Sequence, residues 1–152
     1  MPWPKPAAPD WSGRSPDCSL RTPSLRIALA PCAPFSVSPE LMRDTAALAR
    51  KHGLLLHTHL CETIDEEAYC AKVYGKRPFA FMEEVGWVGP DVWYAHMVHL
   101  SDAELKRCAE TGTGIAHCPQ SNARLGSGIA RIPEALALGV PVGLAVDGAA
   151  SN

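Results

Sequence analysis

The sequence predicts an α/β fold, part of a (β/α)8 TIM barrel with about five parallel strands and helical crossovers. Three observations carry this. From Ser24 onward, short apolar runs alternate with amphipathic ones, which calls for a parallel sheet crossed by helices. His59, His96, His117 and Asp147 fall at the carboxyl ends of four consecutive predicted strands, where a barrel gathers its active site. The other closure, an open doubly wound sheet, would concentrate its ligand groups at one switch point instead.

The elements follow in order. "LRIALA" (residues 25–30) reads as a strand, and "SPELMRDTAALARKHG" as a helix with Ser38 as N-cap, Pro39 at the first helical position and Gly53 as terminator. "LLLHTH" is the second strand, and its period of two puts His57 and His59 on one face. Thr63 and Glu66 form a T-x-x-E capping box for a helix running towards Tyr74, and a short helix follows near residues 79–85. "DVWYAH" is the third strand. Ser101 and Glu104 make a second capping box, opening a helix that stops at Gly112. "TGIAH" is the fourth strand, a helix follows near residues 132–138, and "VPVGLAVD" is the fifth strand. Residues 1–23 hold most of the early prolines and no periodic pattern, so an irregular lead-in is expected there and one domain over 24–152.

Bulk properties narrow the function. At 152 residues, 47% hydrophobic and 20% charged, the chain is long enough to bury a core. A net charge of -2 with mixed signs gives no basic stripe, so nucleic-acid binding has no electrostatic support. No apolar run approaches the roughly 20 residues of a membrane helix, and "MPWPKPAAPDWSGRSPDC" lacks the apolar centre of a secretion signal. The expectation is a cytoplasmic protein with no membrane partner. The 6 cysteines include no C-x-x-C pair, which leaves zinc ribbons and redox motifs aside and reads as free buried thiols, Cys32 excepted.

The strand-end residues suit one chemistry. An ion that activates water needs neutral imidazoles, a carboxylate and an open position. His59 and Asp147 can supply ligands from two strands, and Glu62, three residues past His59, can lean over the bound water as a proton shuttle. His96 can hold the attacking water or ligate the metal. Each residue also has a duller reading: a strand-end histidine is commonly a hydrogen-bonded structural residue, Glu62 can be first-turn acidity, and Asp147 before Gly148 can be turn chemistry. Those readings must each hold separately on four strands. His52, at a helix end, and His99, in a turn, receive no role.

"HTHLCET", "AHMVHL", "GIAHCPQSNARLGSGIA" and "GLAVDGAASN", in this order, resemble the amidohydrolase superfamily, specifically its deaminase and chlorohydrolase branch. "ALAPCAPFSVSPELM" resembles the group containing 8-oxoguanine deaminase and hydroxydechloroatrazine ethylaminohydrolase, with Cys32 marking the substrate pocket. The resemblance implies roles: His59 the metal-binding histidine of the fifth barrel strand, Glu62 the carboxylate that carries protons to the ring nitrogen and meets the substrate, and His96 the sixth-strand histidine that orients the attacking water. It makes Asp147 the eighth-strand aspartate, touching the metal and taking the proton from water, with His117, Ser121 and Asn122, in a loop motif, supporting the site. It implies one divalent ion, zinc before iron, a small purine or triazine substrate, and a homo-oligomeric full-length relative. The expected reaction is hydrolytic deamination of an amino-substituted heteroaromatic ring, with triazine dechlorination and a non-catalytic half-barrel as alternatives.

The family's H-x-H pair lies on its first barrel strand, and "HTH" mimics it. Only 93 residues follow His59, too few for seven further strands when a whole barrel takes about 250 residues. By this match His59 is the single fifth-strand ligand and His57 lines the barrel interior. The chain then corresponds to the fourth to eighth strands without the first-strand pair, so the expectation is a fragment or truncated product that binds metal weakly, turns over little substrate and exposes strand edges.

Overall fold

The structure, a computed structural model, describes residues 25–151; the expected lead-in and its boundary lie outside them. Five strands, β1 (Ala28–Leu29), β2 (Leu55–Leu60), β3 (Val92–His96), β4 (Gly114–His117) and β5 (Val142–Leu144), form one sheet in sequential order with every pairing parallel. The order never reverses, so among the described residues there is no switch point of the kind an open doubly wound sheet requires. The strands form part of a barrel wall.

The crossovers are α1 (Pro39–His52), α2 (Ile64–Tyr74), α3 (Pro78–Glu84), α4 (Asp102–Thr111), α5 (Pro119–Leu125) and α6 (Ile132–Ala137). Local chemistry sets their ends. Ser38 accepts the Leu41 N–H at 3.2 Å, and Gly53 closes α1 at φ 60°, a left-handed conformation that costs a glycine little. Ser101 and Glu104 complete a reciprocal capping box on α4.

The box expected on α2 is only half formed. Thr63 accepts the Glu66 N–H at 3.3 Å, but the Glu66 carboxylate reaches past the cap and takes the N–H of Glu62 at 2.9 Å. Three further expectations are corrected. The "PQSNARLG" stretch, read as a loop, is helix α5, with Pro119 at its start and Gly126 in the left-handed region after it. Strand β5 is three residues long because chain pairing stops at Leu144, leaving Asp147 beyond the strand. Strand β1 is limited to two residues by the same criterion.

Alternation along β2 divides the faces. Leu56, Thr58 and Leu60 are buried towards the helices, whereas Leu55, His57 and His59 are half-buried on the other face. Leu56, Leu60, Val92, Tyr94 and Ile115 join Met42, Phe79, Met82, Trp87 and Leu105 in one core, each such burial contributing about 1.5–3 kcal/mol. Polar groups inside it are satisfied: Trp87 Nε1 donates to the Met42 carbonyl at 2.8 Å, and the Tyr94 hydroxyl donates to the Trp87 carbonyl. The core thins at β5, where Leu144 is 85% exposed. No helix among the described residues is long and apolar enough to cross a membrane.

Candidate metal centre

The parallel register brings the carboxyl ends of the strands to one level: His59 is paired with Ala95, Leu60 with His96, and His117 with Leu144. Immediately past these ends the backbone turns sharply. Cys61, His96, Met97 and Asp147 have φ of 52°, 73°, 51° and 62°, and they are the non-glycine residues in the left-handed region among those described. Such conformations cost on the order of 1 kcal/mol each and persist where the surroundings hold them. Here they cluster around one site.

Two histidines and one carboxylate meet there. Ligand atoms of His59, His96 and Asp147 all lie within 4.8 Å of one another. His59 Nε2 is 3.5 Å from Asp147 Oδ1, and the His59 and His96 rings stack with centroids 5.4 Å apart. Glu62 Oε2 lies 3.6 Å from His96 Nε2, so the four groups form one chain from Asp147 to Glu62.

Each group is held by its unused edge. His59 Nδ1–H donates to the Cys32 carbonyl at 2.6 Å, so in the neutral ring the lone pair lies on Nε2. Thr58, buried beneath, has its hydroxyl 2.8 Å from the same carbonyl. His96, 1% exposed, donates Nδ1–H to Asn122 Oδ1 at 2.8 Å, freeing its Nε2 in the same way. Asp147 Oδ2 accepts the hydroxyls of Ser121 at 2.7 Å and Ser151 at 2.8 Å, which turns Oδ1 towards His59. Burial pushes the Asp147 carboxyl up, but those two hydroxyls and the neighbouring imidazoles outweigh it and hold the group below the usual carboxylate range.

This donor set fits a divalent ion. Zinc holds N and O donors at about 2.0–2.2 Å, so donors sharing one ion sit roughly 3–4 Å apart, and the His59–Asp147 separation of 3.5 Å lies within that range. With Nδ1–H of each ring committed to an oxygen, the neutral form of each imidazole offers its lone pair at Nε2, as metal ligation requires.

The sequence-derived residues fall into two groups. His59, Glu62, His96, Ser121, Asn122 and Asp147 converge. Cys32 is exposed and enters the cluster through its carbonyl, not through a thiol contact. The His117 ring stands apart: its buried Nδ1 has no hydrogen-bond partner, and its link to the site is its carbonyl, which accepts the Ala145 N–H at 2.8 Å. His57 shares the His59 face and stacks on Trp93 at 4.9 Å.

Three participants are given no part in the site by the sequence. Ser151 holds Asp147, Ser127 lies 3.4 Å from Glu62 Oε1, and Glu66 anchors the Glu62 backbone. Both serines lie inside the "GSGIA" and "GAASN" stretches, but nothing in their spacing says which carboxylate they reach.

A parallel-barrel wall with imidazoles and a buttressed carboxylate at its strand ends defines a barrel protein with a candidate metal centre. The chain matches the Amidohydrolase family over residues 19–152 and belongs to it. It is 53% identical over 128 residues to 8-oxoguanine deaminase of Pseudomonas aeruginosa, covering 84% of this chain and 28% of that protein. It is 52% identical over 128 residues to an isoxanthopterin deaminase from an unknown prokaryotic organism, covering 84% and 27%. Atrazine chlorohydrolase of Arthrobacter aurescens, solved with zinc, superposes with a TM-score of 0.82 at 36% identity, over 88% of this chain and 30% of that one. The chain thus spans under a third of the length of these three proteins.

Proposed function

We propose that this chain supplies the ligand-bearing wall of a cytoplasmic hydrolase that deaminates an amino-substituted heteroaromatic ring, with an 8-oxoguanine or guanine-like purine as first choice and a hydroxytriazine second. The observation that carries the reading is the convergence of His59, His96 and Asp147 within 4.8 Å, with Glu62 alongside. Similarity to two ring deaminases supports it.

His59 Nε2 and Asp147 Oδ1 would hold the ion, zinc in preference to iron, given the zinc in the chlorohydrolase structure. A divalent ion held there would supply Lewis acidity, which makes a bound water more acidic. Asp147 receives a proton from the water, and its hydroxyl partners keep it an acceptor at neutral pH. Glu62 delivers a proton to the ring nitrogen, with its main chain fixed by Glu66 and its carboxylate flanked by Ser127. His96 orients the water through Nε2, locked by Asn122. Exposed Cys32 meets the ring's edge. Water adds at the amino-bearing carbon, the proton taken up by Asp147 passes to the amino nitrogen so that it leaves as ammonia, and the remaining hydroxyl proton restores Glu62 as the ring carbonyl forms.

Five strands are described where a barrel has eight, so we assign this activity to the barrel completed by further strands. The test is ammonia release from 8-oxoguanine by residues 25–152 joined to the segment that precedes the match in the Pseudomonas enzyme. Ammonia release that Glu62→Gln abolishes is the expected result. Chloride from atrazine without ammonia from 8-oxoguanine would move the chain to the dechlorinating alternative, which the superposition on the chlorohydrolase favours. Inactivity of a folded, zinc-loaded chimera would leave the non-catalytic reading.

A further inference from the structure

His99, half-buried in the turn after β3, makes two hydrogen bonds that lead to Glu62 by different routes. Its main-chain N–H donates to the Cys61 carbonyl at 2.9 Å, and the next residue along the chain is Glu62. Its ring Nε2–H donates to the Ser127 carbonyl at 3.0 Å, and the Ser127 hydroxyl lies 3.4 Å from Glu62 Oε1. One residue therefore ties down both the backbone that carries Glu62 and the loop that meets its carboxylate.

The loop needs such an anchor. Bonds of the O–H···O kind are ordinarily about 2.5–3.0 Å long, so the Ser127–Glu62 contact is near its limit and a small shift of the loop decides whether it is made. Three features fix the loop. Ser127 N–H donates to the Asn122 carbonyl at 2.9 Å, the Ser127 carbonyl accepts from His99, and Gly128, at φ 124°, leaves room where a Cβ would stand 3.0 Å from Val98 Cγ1. His99 is itself braced, its carbonyl accepting from Arg77 Nη2 at 2.8 Å, and Arg77 is paired with Glu104 on α4. A buried carbonyl such as that of Ser127 needs some donor, but any donor would satisfy it. This one belongs to the residue that also holds Cys61. Asn122 closes the ring: its amide oxygen holds His96, its main-chain carbonyl holds Ser127, and Glu62 lies between the two, 3.6 Å from His96 Nε2.

We propose that His99 is a positioning residue for Glu62, acting through the Ser127 hydroxyl. The imidazole sets where Ser127 stands, and Ser127 selects one rotamer of Glu62, with Oε1 taken by the hydroxyl and Oε2 left facing His96. The use of that rotamer in proton transfer rests on the deamination reading; the positioning itself does not.

The test reads Glu62 directly, in the whole 152-residue chain labelled for NMR, through the three-bond couplings that report its χ1 and χ2 rotamers. The parent should give single-rotamer couplings. His99→Phe and Ser127→Ala should each lose them to averaged values, and the double variant should lose nothing more, because the His99 ring acts only through Ser127. His99→Gln, whose side-chain N–H can reach the same carbonyl, should restore the parent couplings, a rescue that a packing role would not produce. His99→Asn, one methylene shorter, should lose them, which keeps the test decisive if His99→Phe does not fold. Averaged couplings in the parent, parent couplings in a folded His99→Phe or His99→Asn, or a double variant looser than Ser127→Ala would overturn the proposal. Because the couplings report geometry, the outcome is independent of whether the completed barrel releases ammonia.

Discussion

Asn122 and His96 are joined by one hydrogen bond, 2.8 Å from Oδ1 to Nδ1, between a side chain on α5 and one at the end of β3. That bond fixes which imidazole nitrogen carries the proton. The nitrogen left bare faces Glu62 and the cluster of His59 and Asp147.

Asn122→Leu removes the acceptor and releases the tautomer. The expected result is loss of the single Nδ1–H form of His96 in nitrogen NMR and a zinc affinity lower by about 10-fold or more. An unchanged tautomer would show that the surrounding packing, not Asn122, sets it.

Ser121 and Ser151 play the same part for Asp147. Because the folded carboxyl lies below its ordinary range, its contribution to stability is present above the unfolded pKa and lost as pH falls through the folded one. Replacing both serines with alanine should raise the Asp147 pKa, seen by carboxyl carbon NMR, and narrow that window. A titration curve identical to the parent's would deny the hydroxyls their role.

Glu66 has the opposite sign. It is 4% exposed, and its carboxyl is raised from 4.5 to about 7, chiefly by burial, with the neighbouring Glu62 and Glu67 adding to the rise and backbone N–H groups opposing it. The folded chain therefore binds the extra proton between those pH values, so the stability this group contributes is present below about 4.5 and lost as pH rises through about 7. Glu66→Gln should stabilise the chain by about 2–3 kcal/mol at pH 8 and change little at pH 4, measured by urea unfolding. Equal effects at both pH values would contradict the burial of an ionising group.

Much of this arrangement is legible in the sequence where one residue fixes one local geometry. Ser38, Pro39 and Gly53 bound α1, and Ser101 with Glu104 opens α4, because caps act within three or four residues. The alternation that separates Leu56 from His57 gives the strand faces, and the sequential parallel order gives the barrel reading. Helix α5 is hidden because seven residues carry no apolar period, though Pro119 and Gly126 punctuate it. Glu66 misleads because a capping-box glutamate can choose between two nearby N–H groups, and only tertiary packing settles which. The positions that converge are visible as strand-end polar residues. Their buttresses, Ser151 on Asp147 and the Cys32 carbonyl on His59, are long-range pairings that no spacing encodes.

The central claim is that His59 and Asp147 can grip one cation, and zinc binding by equilibrium dialysis tests it most directly. The prediction is up to one zinc per chain, of modest affinity, weakened about 10-fold or more by His59→Ala and by Asp147→Ala separately. Zinc binding that both variants retain undiminished, in chains that still fold, would contradict it.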